Sequence, residues 1–160
     1  MKMKSFIYLV ILVVFSSASY SQKVKLITID QLQERIKNGK DSTYVVNFWA
    51  TWCAPCVKEL PHFERLNAEH KSEKLAVLLI SVDFKSKLNT AVIPFVRRKM
   101  MLSQVFLLNE SDPQEYINRI EPTWSGSIPA TIFIKGDKRK FVENEFTYEQ
   151  LLTEYKNYKQ

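Results

Sequence analysis

The segment Trp52-Cys53-Ala54-Pro55-Cys56 contains the only two cysteines of the 160-residue chain. The β-branched and aromatic residues Thr43–Trp49 precede it and predict a strand, and the apolar spacing after it predicts a helix that runs to about His70. Cys53 is therefore expected at the helix N-terminus, with Cys56 in the first turn. Because backbone N–H groups and the helix dipole stabilise negative charge there, we expect Cys53 to have a lowered pKa and to carry thiolate near neutral pH.

Two thiols at positions i and i+3 can form a disulfide with each other, so the pair predicts a reversible two-electron switch with one attacking and one resolving sulfur. Half of a zinc site is one alternative. Zinc needs four ligands, and the only histidines, His62 and His70, do not follow zinc-finger spacing. A purely structural disulfide is the other alternative, but closing so short a loop removes little chain entropy. Redox chemistry is therefore favoured.

The composition is that of one globular domain, with 46% apolar and 12% aromatic residues. The formal net charge is +6, and the basic residues are scattered in short groups such as 97–99 and 138–140. No recognised nucleic-acid-binding motif accompanies these groups, so they are interpreted as solvated faces and no nucleic-acid partner is expected.

Residues 1–21 have the pattern of a secretory signal peptide. Lys2 and Lys4 make the start positive, residues 6–15 are an uninterrupted apolar run, and residues 16–21 are mostly small. The apolar run is short for a membrane span. Export would place the protein in the periplasm or cell envelope, where disulfides persist.

The predicted cleavage follows Ser21, and a cut after Ala18 is the alternative. The mature domain would then comprise residues 22–160, with a net charge of about +4 once the two leader lysines are removed. No cysteine lies near the cut, so a lipid-anchored form is not expected, whereas an uncleaved signal anchor stays open.

The rest of the chain alternates strand and helix patterns, which is typical of an α/β fold. The run at 75–82 is almost entirely apolar, as in a central parallel strand covered on both faces. Asp30, Asp112 and Thr147 are predicted helix caps. The other predicted strands cover residues 24–27, 104–108, 130–134 and 140–143, and the other helices cover 30–37, 88–100, 113–120 and the C-terminal segment.

Three separated elements together resemble the thioredoxin superfamily. They are the stretch from Phe48 to Cys56, Pro61 in the following helix, and Ile128-Pro129-Ala130-Thr131 before a strand. More narrowly, residues 24–158 resemble the TlpA/ResA branch of extracytoplasmic thiol–disulfide oxidoreductases. The resemblance implies a thioredoxin-like α/β fold, with a central mixed β-sheet flanked by helices and a helix–strand insertion around residues 84–110.

The same resemblance implies three catalytic residues. Cys53 would be the nucleophile, Cys56 the resolving thiol, and Glu59 the group that accepts or supplies a proton as the mixed disulfide resolves. Thioredoxin itself has a buried aspartate where this chain has Asn47, and an amide cannot take that proton. A solvated helix glutamate is the alternative interpretation of Glu59.

Four further residues are assigned to substrate binding by the resemblance. Pro129 would be a cis-proline beside the sulfurs, and the Ile128 backbone would pair with an extended client segment. Trp52 and Pro55 would flank the sulfurs. The alternatives are an ordinary trans proline at 129 and a plain core or surface aromatic at 52.

These expectations predict an extracytoplasmic enzyme that reduces protein disulfides, with no metal and no cofactor other than the Cys53–Cys56 disulfide. Its partners would be disulfide-containing proteins and a membrane-embedded thiol electron donor. The clients stay open between apocytochromes of cytochrome c maturation, other redox proteins and misoxidised proteins in general. Ala54-Pro55 adds no charge that would stabilise a thiolate strongly, which argues against a strong oxidase. Alternatives are a peptide-binding module without redox turnover and a copper-binding module. A peroxidase is a further alternative, although the chain lacks the threonine-and-proline pattern of a peroxidatic cysteine.

Overall fold

A six-stranded mixed sheet forms the centre of the structure, a computed structural model that describes residues 23–159. The strands are β1 (Lys25–Ile27), β2 (Thr43–Trp49), β3 (Leu75–Ser81), β4 (Gln104–Leu108), β5 (Ala130–Lys135) and β6 (Lys138–Val142). The α-helices are α1 (Ile29–Asn38), α2 (Ala54–Glu69), α3 (Ile93–Arg98), α4 (Pro113–Ile120) and α5 (Tyr148–Lys159). A 3₁₀ turn and a π-helical turn, Lys85–Lys87 and Leu88–Val92, precede α3.

The strand order in the sheet is β1-β4-β3-β2-β5-β6. The pairs from β1 to β2 are parallel, and β5 runs antiparallel to both β2 and β6. The predicted central position of β3 and the mixed sheet are both confirmed. Because β4 lies between β1 and β3, the predicted insertion at 84–110 contributes α3 and an interior strand of the sheet.

Neighbouring residues of the central strands point to opposite, equally buried faces. Val45 packs in the cluster that contains residues of α2, α3 and α5, whereas Val46 packs in the cluster that contains residues of α1 and α4. Helices on both faces of the sheet explain why β2 and β3 are apolar almost throughout. The predicted fold class is therefore confirmed.

The N-terminal cap of α1 differs from the prediction. Thr28 caps this helix, and Asp30 lies inside the first turn. The Thr28 hydroxyl accepts the Gln31 N–H at 3.2 Å, while the Gln31 side chain accepts the Thr28 N–H at 3.0 Å. This reciprocal pair satisfies two backbone N–H groups at the start of the helix, those of Thr28 and Gln31, and Asp30 lies two positions after the cap. The predicted caps Asp112 and Thr147 are confirmed.

The β5–β6 hairpin is longer than predicted. Lys135 pairs with Lys138, so the turn has only two residues and β6 begins at Lys138 instead of residue 140. Gly136 has φ of 57°, a backbone conformation that glycine adopts without steric cost and that tight hairpin turns require.

The predicted signal peptide, residues 1–21, lies outside the described residues, and so do both cleavage sites. Between residues 23 and 159, the helices are all too short or too polar to cross a membrane.

Candidate active site

The junction between β2 and α2 carries both cysteines. Cys53 is the N-cap of α2, and its Sγ accepts the backbone N–H of Cys56 at 3.3 Å. Pro55 lies in the first turn, where its missing N–H costs no helical hydrogen bond. The predicted position of Cys53 at the helix tip is confirmed, and the N–H directed at its sulfur is the contact that stabilises a thiolate.

Cys53 and Cys56 form a disulfide, with their Cα atoms 5.3 Å apart. Cys53 is only 5% exposed and Cys56 is fully buried, so the disulfide presents little surface to solvent. Both belong to the apolar cluster on the α2 face of the sheet, and Ile128 packs against that cluster from outside. Of the two cysteines, only Cys53 therefore has any surface accessible to solvent.

The Ile128–Pro129 peptide bond is cis, so the trans alternative for this proline is excluded. The Ile128 carbonyl oxygen lies 3.7 Å from Cys53 Sγ. A disulfide sulfur has no hydrogen, so this is a contact here, and only a Cys53 thiol can donate to that oxygen. The structure thus brings residues 128 and 53 together across 75 positions of sequence.

The turn before Cys53 exposes Trp52, whose residue surface is 69% accessible. A core position for this ring is therefore excluded, and its place next to the disulfide agrees with the predicted flanking position. The preceding residue, Thr51, is bonded to the buried Asp83 just beyond β3. No motif in the sequence marks Asp83, and its relation to Thr51 comes from the parallel pairing of β2 with β3.

Glu59 lies one turn after Cys56 on α2 and is fully buried, which excludes a solvated helix glutamate. Its Oε1 accepts the side-chain N–H of Asn47 at 2.7 Å, and its Oε2 accepts the backbone N–H of Phe146 at 2.8 Å. Burial raises the pKa of Glu59 to about 7, against these two hydrogen bonds and with a smaller contribution from the charge of Glu145. A carboxyl with this pKa is suited to give or take a proton near neutral pH.

Asn47 has a contact that the sequence interpretation missed. Its Nδ2 also donates to the hydroxyl of Thr131, 3.1 Å away on β5, two residues after Pro129. The departure from the thioredoxin aspartate at residue 47 was the available signal. That departure did not reveal that the Asn47 side-chain amide donates a hydrogen bond to Glu59.

The two histidines contact tyrosines of α5. His70 Nδ1 lies 3.0 Å from Glu73, and its ring centroid is 4.9 Å from that of Tyr155. The His62 ring lies 6.4 Å from that of Tyr148. In the described part of the chain, no three His, Cys, Asp or Glu side chains are grouped as metal ligands.

The mixed sheet, the cysteine pair at a helix tip and the neighbouring cis-proline together define a protein with the thioredoxin fold. The chain belongs to the AhpC/TSA family, whose model matches residues 21–139. A solved thiol:disulfide interchange protein of the thioredoxin family from Chlorobium tepidum TLS is 22% identical, with a TM-score of 0.65. That alignment covers 78% of this chain and 85% of the other, and at this identity it shows the fold.

Two curated relatives are named as thiol–disulfide oxidoreductases. The thiol-disulfide oxidoreductase ResA of Oceanobacillus iheyensis is 26% identical over 126 residues, which are 77% of this chain and 60% of that protein. The sporulation thiol-disulfide oxidoreductase A of Bacillus subtilis is 24% identical over 115 residues, which are 71% of this chain and 66% of that protein. The predicted resemblance to ResA-type proteins is confirmed, although the aligned part spans less than two thirds of either relative.

Proposed function

We propose that this protein is an extracytoplasmic thiol–disulfide oxidoreductase that reduces disulfides of other proteins. The observation that carries the proposal is the Cys53–Cys56 disulfide at the tip of α2, 3.7 Å from the carbonyl of Ile128 in the cis Ile128–Pro129 pair. A reversible dithiol needs two sulfurs within bonding distance, one of them accessible and stabilised as a thiolate. The names of the two curated relatives support the same activity.

The reaction begins with the reduced pair. The Cys53 thiolate attacks one sulfur of the client disulfide, which forms a mixed disulfide and releases the first client thiolate. Cys56 then attacks the Cys53 sulfur, which breaks the mixed disulfide, releases the second client thiolate and leaves the Cys53–Cys56 bond. Two electrons pass from the dithiol to the client, which takes up two protons as its thiolates become thiols.

Glu59 moves the proton of the resolving step. Its ionised carboxylate takes the proton of the Cys56 thiol as that sulfur attacks, and the protonated carboxyl returns it to the departing client thiolate. Burial beside the disulfide supports this role, since it raises the pKa of Glu59 to about 7 and keeps both protonation states populated near neutral pH.

The direction of electron flow is proposed from the chemistry around the thiols. Ala54 and Pro55 place no cation between the cysteines, so they do not strongly stabilise the thiolate. A strong oxidant has a strongly stabilised thiolate, so this sequence favours a reductase. A membrane-embedded thiol donor then restores the dithiol after each turnover. Signal-directed export belongs to the same proposal and is supported by the leader pattern. The proposed clients are disulfide-containing proteins, in line with the name of the ResA relative, and apocytochromes are one client class to test.

The test is reduction of insulin disulfides with dithiothreitol as electron source. We expect the purified protein to accelerate the reaction, Cys53→Ser to abolish the acceleration, and Cys56→Ser to accumulate a mixed disulfide on Cys53. Ser86→Ala, an exposed change in the turn after β3, is the matched control and keeps full activity. Undiminished activity of Cys53→Ser would refute the proposal, and stoichiometric Cu(I) binding without turnover would favour the copper-binding alternative.

A further inference from the structure

A buried polar cluster joins three secondary-structure elements behind the disulfide. It consists of Asn47 on β2, Glu59 on α2 and Thr131 on β5, and all three are fully buried. Asn47 Nδ2 is the centre of the cluster, because it donates one hydrogen to Glu59 Oε1 and the other to Thr131 Oγ1. The amide thus connects the carboxyl next to Cys56 with the strand that follows Pro129.

The amide oxygen of Asn47 has no hydrogen-bond partner among the described residues, although it is buried. A buried polar atom without a partner carries a desolvation cost. An apolar residue of the same size would avoid that cost, so the presence of an asparagine here needs an explanation. The reason we find lies in the other protonation state of its neighbour.

Glu59 changes from a pure acceptor to a donor when it takes a proton. Its Oε2 is held by the N–H of Phe146, so the proton falls to Oε1, which faces the amide of Asn47. The Nδ2 group would then point its hydrogen at another hydrogen. A half-turn of the amide exchanges Nδ2 and Oδ1, after which Oδ1 accepts from protonated Glu59 and Nδ2 occupies the buried position that Oδ1 held.

Thr131 is compatible with both orientations of the amide. A hydroxyl is both donor and acceptor, so Thr131 accepts from Nδ2 before the half-turn and donates to Oδ1 after it. Because Thr131 can pair with either side of the amide, its position in β5 allows the Asn47 amide to rotate and does not fix it in a single orientation. We infer that Asn47 is a positioning residue for Glu59 whose amide serves both protonation states of that carboxyl by a half-turn.

The charged surroundings of Glu59 are few in the described part of the chain. From the segment before α5, Glu145 adds a negative charge, and Lys58 pairs with Glu145 at 2.6 Å. On α2 itself, Cys56 is uncharged while it is bonded to Cys53 and becomes a titrating thiol on reduction. The faces of β2 and β5 contribute the neutral Asn47 and Thr131. The oxidised protein is thus the state in which the half-turn can be observed without thiol titration.

The inference rests on the proposed proton transfer by Glu59, but its test does not require turnover. The probe is a ¹³C NMR titration of the Glu59 carboxyl carbon in the oxidised full-length protein, assigned with Glu59→Gln. The side-chain N–H signals of Asn47 are followed in parallel. We expect them to move with the Glu59 midpoint and to lose their nuclear Overhauser contacts with the Thr131 methyl group on the acid side.

Two variants separate positioning from mere packing. Asn47→Leu removes the charge-assisted donor that favours the carboxylate, so we expect the Glu59 midpoint and the acid limb of insulin reduction to move upward together by about one pH unit. Thr131→Val is the matched change on the other side of the amide, and it should shift the midpoint by less. Asn47→Asp restores an oxygen beside the carboxyl, and the pair should titrate in two separated steps.

The outcomes are distinguishable from those of the proposed function. Nuclear Overhauser contacts between the amide and Thr131 that persist at acid pH would rule out the half-turn. An unmoved midpoint in folded Asn47→Leu would rule out positioning, and if that variant does not fold, a single titration step at the wild-type midpoint in Asn47→Asp would do the same. Failure of the wild type to reduce insulin would overturn the proposed function and leave the titration result standing.

Discussion

The Asp83 carboxylate accepts hydrogen bonds from both the backbone N–H and the hydroxyl of Thr51, at 2.9 Å and 2.6 Å. The same carboxylate accepts the hydroxyl of Ser81 at 2.8 Å, and it is buried at the C-terminal end of β3. Thr51 lies two residues before Cys53, so the turn that presents the accessible sulfur is held by a residue 32 positions away. The reactive turn therefore depends on the pairing of β2 with β3 as well as on its own motif.

Replacement of Asp83 by alanine should loosen that turn. The change leaves both donors of Thr51 without an acceptor in a mostly buried place, which we expect to lower the free energy of unfolding by about 2–4 kcal/mol. Insulin reduction should slow, since the N-cap that carries Cys53 loses its anchor. Urea unfolding and the insulin assay measure the two effects. Ser81→Ala removes the two hydrogen bonds between the Ser81 hydroxyl and Asp83 but keeps both bonds to Thr51, so it should cost less, about 1–2 kcal/mol, and leave insulin reduction unchanged. Equal loss of activity in the two variants would contradict this account.

Glu59 should make the folded protein less stable as the pH rises. Its folded-state pKa of about 7 exceeds its unfolded value of about 4.5, so the folded state binds the proton more tightly. This stabilisation is complete below about pH 4.5 and is lost as the pH rises through 7, a change on the order of 3 kcal/mol. Glu59→Gln should lack that decline when urea midpoints are compared between pH 4 and 8. The exposed Glu34→Gln is the control, and identical pH profiles for wild type and Glu59→Gln would exclude the effect.

Reduction of the disulfide should lower stability by a modest amount. The Cys53–Cys56 bond closes a loop of four residues, for which the chain-entropy model gives about 2 kcal/mol. We expect the oxidised protein to unfold at a higher urea concentration than the reduced protein, and a variant with both cysteines replaced by serine to be indifferent to dithiothreitol. A reduced form more stable than the oxidised form would mark the pair as an oxidant, against the proposed direction of electron flow.

Glu73 should protect the packing of α5 against acid. Its carboxylate interacts with Lys159 at 2.8 Å, with the hydroxyl of Tyr155 and with His70. The Lys159 contact is the largest cause, followed by Tyr155 and His70, that lowers the pKa of Glu73 to about 2. A lowered folded-state pKa means stability that is present above pH 4.5 and lost as the pH falls toward 2.

The variant Glu73→Gln should therefore be less stable than the wild type at pH 6 and approach it near pH 2. Circular dichroism during acid titration measures this, with amide exchange in α5 as a local readout. Lys159→Met removes the first of these partners and should give part of the same loss. A constant difference between wild type and Glu73→Gln across the whole pH range would contradict an ionic origin.

Local patterns predicted the elements that have strong signals of their own. The bounds of β2, β4 and α4 agree with the sequence interpretation, because β-branched runs and an Asp-Pro start are strong local signals. The cap of α1 was assigned wrongly because Thr28 and Asp30 are both good caps. The contacts of Asn47 with Thr131 and of Asp83 with Thr51 were not predicted, since their partners are 84 and 32 positions apart.

The sequence by itself determined the chemistry of the two sulfurs. The two cysteines are three positions apart at a junction between a strand and a helix, and both features can be identified from the local sequence. They are sufficient to predict a disulfide at the N-terminus of the helix. Only the tertiary structure decided that Cys53 is 5% exposed and that Glu59 is buried and hydrogen-bonded to Asn47. Burial and long-range contacts depend on how β2, β5 and α2 pack together, and they set the proton affinity of that carboxyl because the desolvation of a charge depends on everything around it.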